Sequence, residues 1–116
     1  MLRQRYAEVS PDGGDHFPVI FEKLQRMWNE EPLLEASDLA KIPIPVLVMA
    51  GDDDVVTLAH TTALYEALPQ GQLAVIPGAS HAVFMEKPGL LNSMILEFLE
   101  QEGPPSTILP VRRAAS

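Results

Sequence analysis

Five consecutive apolar residues, Val46-Leu47-Val48-Met49-Ala50, stand between two closely spaced prolines, Pro43 and Pro45, and the turn sequence Gly51-Asp52-Asp53-Asp54. The prolines stop any helix and force extended backbone into the run. A strand with one wetted face alternates apolar and polar residues; this one does not, so both of its faces must be covered. That requirement selects a parallel sheet flanked by helices.

A second apolar run, Leu73-Ala74-Val75-Ile76, closed by Pro77-Gly78, makes the same demand. Between the two runs, Thr57 to Leu68 carries Leu58, Leu64, Tyr65 and Leu68 and is ended by Pro69-Gln70-Gly71, which predicts a helix over 57–68. Pro88 suits a first helical turn, and Leu90, Leu91, Met94, Ile95, Phe98 and Leu99 then share a face of a helix predicted over 89–101. Residues 45–101 thus read as a βαβα core, an α/β fold with a short parallel sheet segment and a right-handed crossover.

Upstream, the Ser10–Asp15 turn precedes Phe17, Ile20, Phe21, Leu24, Met27 and Trp28 at helical spacing, an amphipathic helix over 16–30. Its apolar stripe is expected to pack on a core; the alternative is that Trp28 and its neighbours line a substrate pocket. A linker with one helical turn at Ser37–Lys41 follows Pro32. Residues 103–116, with three prolines and little charge, read as an extended or disordered tail. Arg3/Arg5 and Arg112/Arg113 read as solvated charge at the two ends.

Length and composition fit one domain over residues 1–116, with 47% hydrophobic and 21% charged residues. A net charge of −8 disfavours a nucleic-acid partner. No cysteine is present, so there is no disulfide, thiolate metal site or cysteine nucleophile. The apolar runs fall far short of the ~20 residues of a membrane helix, and no apolar segment follows the early arginines as in a secretory signal. The expectation is a soluble, cytoplasmic protein.

In a parallel α/β sheet, reactive groups collect in the loops after the carboxyl ends of the strands. The first such loop carries Asp52, Asp53 and Asp54, and the second carries Ser80 and His81. On neighbouring strands, an aspartate of the first loop can reach an imidazole nitrogen of His81, fixing the ring's tautomer and stabilising the imidazolium formed on proton uptake. Three adjacent carboxylates also raise the question of a hard cation such as Ca²⁺ or Mg²⁺. A calcium loop alternates its ligands and ends in glutamate, so Asp52 and Asp53 read more simply as solvated turn residues. A phosphoryl-accepting receiver would need a further aspartate, and none follows Asp54.

The run IPVLVMAGDDDVV, followed by PGASHAVFMEKPGLLNSMILEFL, resembles the last two strands and final helix of α/β-hydrolases. The resemblance covers roughly residues 38–100. It implies that G-x-x-D places the family's acid at Asp54 and G-x-x-H its base at His81, with Glu86 and Pro88 matching a structural E-x-P before the last helix. It also implies acyl hydrolysis, of an ester, a lactone or a similar small acyl substrate, with no cofactor and no metal. A complete member also carries a G-x-S-x-G nucleophile elbow and an oxyanion-hole loop. Neither precedes Val46. Gly78-Ala79-Ser80-His81-Ala82 is one residue from that elbow, but adjacent residues rarely face each other, so Ser80 would need His60 or His16 as its base.

The expectation is therefore a truncated α/β-hydrolase-like domain, inactive alone, whose His81 would activate a serine from a missing segment or partner chain. Two strands leave both sheet edges unpaired, so the fold is expected to be completed by oligomerisation. The alternative to an enzyme is a non-catalytic module that homodimerises through its sheet edge or the 16–30 helix.

Overall fold

A computed structural model describes residues 1–114. Ala115 and Ser116, the end of the expected tail, lie outside the described residues. Where one domain was expected over 1–116, the residues group into two compact units, Met1–Leu34 and the remainder from Glu35 onward.

The first unit holds helix α1 (Leu2–Val9), a 3-10 turn (Gly14–His16) and helix α2 (Phe17–Glu30). Gly13 reverses the chain at φ +80, a conformation few side chains tolerate. Gly14 lies so near Ala7 that a Cβ on it would sit 3.0 Å from that methyl group. Tyr6, Phe17, Phe21 and Trp28 form a series with successive ring centroids 5.7, 5.7 and 6.4 Å apart. The helix predicted over 16–30 is present, but its packing on a core is corrected: α2 has no buried residue, and Trp28 is 60% exposed. Two short helices cannot surround an apolar stripe. Trp28 instead borders an apolar groove of about 340 Å³ with Tyr6, Phe17, Phe21 and Leu24. Helix α1 was not foreseen: its LRQRYAEV sequence is short and mostly polar, with only Leu2, Tyr6 and Val9 on one face.

The second unit begins with α3 (Ala36–Leu39), where the Glu35 and Asp38 side chains cap each other's backbone. Strand β1 (Val46–Gly51), helix α4 (Leu58–Ala67), strand β2 (Gly71–Ile76), the short helix α5 (Val83–Glu86) and helix α6 (Pro88–Glu100) follow. The two strands pair in parallel, with Val46 opposite Gly71 and Gly51 opposite Ile76. This is the α/β-hydrolase-like arrangement expected, a short parallel two-strand sheet with flanking helices. Strand β2 starts two residues before its apolar run, because Gly71 nestles under the end of α4, where a Cβ would lie 2.9 Å from the Tyr65 carbonyl.

Helices lie against both faces of the sheet, although Val75 of β2 stays 38% exposed. Ile76, Ala79, Val83 and Leu91 form the buried core, with Met49, Ala74, Met94 and Ile95 packed against them. By the two-residue period of a strand, Val48 and Ala50 point to the other face. Helix α4 packs against both strands, contributing buried Thr61 and, just past its end, Leu68. Among the described residues, no helix is long and apolar enough to cross a membrane.

For the 103–116 segment, the reading of Arg112 and Arg113 as solvated charge is corrected. The segment has no helix or strand, yet it folds back onto the end of α4. The Arg112 guanidinium lies 4.2 Å from the centroid of the Tyr65 ring. It also donates to the carbonyl oxygens of Tyr65, Glu66 and Leu68 at 2.9, 3.1 and 2.8 Å. Arg113 donates to the Gly71 carbonyl at 2.9 Å. The physical reason is general: the last carbonyls of a helix lack internal partners and form the negative end of its dipole, which draws cations.

Candidate active site

Both strands end on the same side of the sheet, so the Gly51–Thr57 and Pro77–Ala82 loops lie next to each other. The chain makes them meet closely. A Cβ on Gly51 would collide with the Ala79 carbonyl, so only glycine lets the two backbones approach this far. Across the contact, the Asp53 N–H donates to the Ala79 carbonyl at 2.9 Å, and the Ala79 N–H donates to Asp52 Oδ1 at 3.3 Å. Asp52 is thus a strut between the loops, where a solvated turn residue was expected. The second loop turns at Gly78, φ +64.

This stitching brings together the two residues singled out in the sequence. Asp54 Oδ1 lies 2.9 Å from His81 Nδ1. The Asp54 side chain is 7% exposed and that of His81 70% exposed, so a buried carboxylate holds an imidazole at the surface. Asp54 Oδ1 also accepts the Val56 N–H at 3.0 Å, a local turn that orients the carboxylate. The Asp54 carboxyl is held below its ordinary value, first by this Val56 N–H, against an opposing contribution from burial, and further by the hydrogen bond and charge of His81. An ionised carboxylate only accepts, so in the neutral ring the proton sits on Nδ1 and Nε2 carries the lone pair. Among the described residues, Nε2 makes no hydrogen bond. The arrangement can take up a proton at Nε2 and stabilise the resulting imidazolium.

Ser80 faces away from this chemistry. Its hydroxyl donates to Glu86 Oε1 at 2.8 Å and accepts the Ala82 N–H at 3.2 Å, while its own N–H donates to the same Glu86 oxygen at 2.9 Å. The Ser80 hydroxyl, and then the Ser80 N–H, hold the Glu86 carboxyl below its usual value, which makes it a poor base for that hydroxyl. His60, on α4, makes no hydrogen bond to Ser80 among the described residues, and His16 belongs to the first unit. The near match to a nucleophile elbow is therefore a loop link.

The Asp52–Asp54 carboxylates do not converge: one bonds the Ala79 N–H, another the His81 ring. Among the described residues, no three His, Asp or Glu side chains group as a metal ion would need. A groove of about 650 Å³ lies at the opposite, amino end of β2, lined by Tyr65, Gln72, Leu73, Gln101 and residues of the 103–113 segment. It touches neither Asp54 nor His81.

Sequence reasoning passed over Gly51 and the Ser80–Glu86 link, and read Asp52 as a solvated turn residue. Gly51 sits where two strand-end loops must approach, and Glu86 lies six residues after a serine, but neither signal says what the side chain meets.

A buried acid on the loop after one parallel strand, paired with an exposed histidine on the loop after the next, defines the class, and comparison with known proteins agrees. Residues 1–93 match the model of the alpha/beta hydrolase family, and the chain belongs to that family. Its relatives include the Agrobacterium fabrum protein named "Putative carbamate hydrolase RutD", 33% identical over 98 residues, which are 84% of this chain and 38% of the relative. Among solved structures, the meta-cleavage product hydrolase CumD of Pseudomonas fluorescens IP01 superposes with a TM-score of 0.69 at 26% identity, covering 84% of this chain and 36% of that one. The chain thus spans less than two fifths of the length of either.

Proposed function

We propose that this chain supplies the acid and the base of an acyl hydrolase, Asp54 orienting His81 and His81 taking the proton of an attacking hydroxyl. The observation that carries the reading is the 2.9 Å contact between Asp54 Oδ1 and His81 Nδ1, with Nε2 left open on an exposed ring. Bond cleavage in an ester, lactone or related acyl compound needs a general base of this kind, and such a base contributes on the order of 10²–10⁴-fold. The relatives, named as a carbamate hydrolase and a meta-cleavage product hydrolase, support hydrolysis as the reaction type. The 116 residues hold no G-x-S-x-G, so in this reading the hydroxyl comes from a segment outside them or from a partner chain. Without that hydroxyl, the chain by itself is expected to show no more than the weak cleavage that His81 alone can assist. The test is hydrolysis of an activated aryl ester by the purified chain and by His81→Ala. His16 and His60 remain in the variant and report the background of unassisted imidazole. The wild type is expected to exceed the variant by at least about tenfold; equal rates would sink the proposal.

A second reading, a homodimerising module, has its own support. Among the described residues the sheet has two strands, each with one unpaired edge, and Leu96 and Leu99 of α6 are 58% and 69% exposed. Unpaired strand edges and exposed apolar side chains favour association with a second copy. This reading needs no catalysis.

A further inference from the structure

Glu86 is placed to control the site without touching it. It ends α5, whose first residue, Val83, is buried in the core with Ile76, Ala79 and Leu91. The Lys87 N–H donates to the Val83 carbonyl and the Leu91 N–H to the Lys87 carbonyl, so the backbone on either side of Glu86 is tied to the core and to α6. From this fixed base its carboxylate reaches back six residues, and one oxygen accepts both the N–H and the hydroxyl of Ser80, at 2.9 and 2.8 Å. The Ser80 hydroxyl in turn accepts the N–H of Ala82 at 3.2 Å. Ser80 and Ala82 are the two neighbours of His81. On the far side of Ser80, Ala79 is held by the Asp53 N–H and by Asp52 Oδ1.

The backbone carrying His81 is therefore clamped from both directions, by the first loop at Ala79 and by Glu86 at Ser80 and Ala82. An imidazole 70% exposed has little packing to hold it, so its ring can meet a buried carboxylate only if the backbone beneath it is fixed. We infer that Glu86 is a positioning residue for His81, acting through Ser80 to hold the imidazole on Asp54. This rests on the acid–base reading of the pair and adds a third residue to it. Gln at position 86 would keep an oxygen able to accept both Ser80 bonds, whereas Ala would remove the clamp.

The readout is the tautomer of the neutral His81 ring, measured from ¹⁵N chemical shifts of the full chain at alkaline pH, with His16 and His60 as internal references. In the wild type the Nδ1–H form is expected to dominate. Asp54→Ala should bring His81 to the ratio of the reference histidines. Glu86→Ala should lower the Nδ1–H to Nε2–H ratio about tenfold, the scale of one lost charge-assisted hydrogen bond, while Glu86→Gln stays within about twofold of the wild type. A folded Glu86→Ala protein with the wild-type ratio would overturn the inference. If that variant does not fold, Ser80→Ala, which removes the hydroxyl and keeps the N–H contact, should still lower the ratio about threefold, and an unchanged ratio there overturns it equally. A ratio indifferent to Asp54→Ala would overturn the pairing itself and this inference with it; a ratio sensitive to Asp54 and indifferent to Glu86 defeats the inference alone.

Discussion

At the scale of single residues, burial divides labour between two side chains 2.9 Å apart. Asp54 sits under the loop, where its oxygen serves both Val56 and His81, and His81 is presented outward. The carboxylate's lowered pKa makes this a pH-dependent contribution, with a definite sign. A group whose folded value lies below its unfolded value of about 3.9 stabilises fully above about pH 4, and the contribution fades as pH falls through the folded value. Asp54→Asn should therefore melt below the wild type by a constant margin from neutral pH down to about 5, a margin that closes on further acidification. Thermal melts from pH 7 to pH 3 read this directly, and a margin indifferent to pH would contradict the assignment. Glu86, lowered by its Ser80 bonds, acts with the same sign.

Among the elements, helix α4 and the segment after α6 complete each other. At the end of α4, Arg112 gathers the carbonyl oxygens of Tyr65, Glu66 and Leu68 while lying over the Tyr65 ring, and those of Tyr65 and Leu68 also accept the Leu68 and Gly71 N–H groups. Hydrogen bonds to an exposed guanidinium together with a cation–π contact are worth about 1 kcal/mol here. Arg112→Ala should lower Tm by about 4–8 °C, the shift such a loss produces in a domain of this size. Arg112→Lys should recover only part of it, since an ammonium has no planar guanidinium to stack on the Tyr65 ring. Differential scanning calorimetry of the three proteins is the check, and an unchanged Tm in Arg112→Ala would show that the segment adds nothing. The strand ends tell a related story. Gly51 permits the loop contact, and Asp52 and Asp53 fasten it, so the position of His81 relative to Asp54 is a property of two loops together.

For the whole molecule, the governing quantity is how much apolar surface the chain can cover. Ile76 is completely buried, yet Phe84, Met85, Leu96 and Leu99 are well exposed, and α2 in the first unit has no buried residue. Among the described residues, each strand pairs on one side only. Such a chain should self-associate. Light scattering coupled to size exclusion is expected to give a dimer or larger species, and His81→Ala should leave that mass unchanged; a well-folded monomer at micromolar concentration would refute the homodimer reading.

Much of the fold was legible because local rules and burial agreed. The unbroken apolar run at Val46–Ala50 demanded cover on both faces; Thr57, Pro69 and Pro88 marked helix ends; and the spacing of Asp54 and His81 placed them on successive strand-end loops. These are consequences of periodicity and backbone sterics, which sequence carries directly. Other features depended on which distant groups meet. The helix over 16–30 was legible by its stripe, but what covers that stripe was not, since periodicity names a face and no partner. Arg112 read as solvent charge because the α4 carbonyls that claim it lie 44 to 47 residues earlier. Glu86 matched a motif, but its carboxylate acquired a role only when α5 folded back over Ser80. The sequence by itself determined the two strands, the helices α2, α4 and α6, their order, and which aspartate and histidine meet, though neither α1 nor α5. Only the tertiary structure decided which hydrogen bonds hold that pair in place, because a hydrogen bond exists only where folding brings donor and acceptor together.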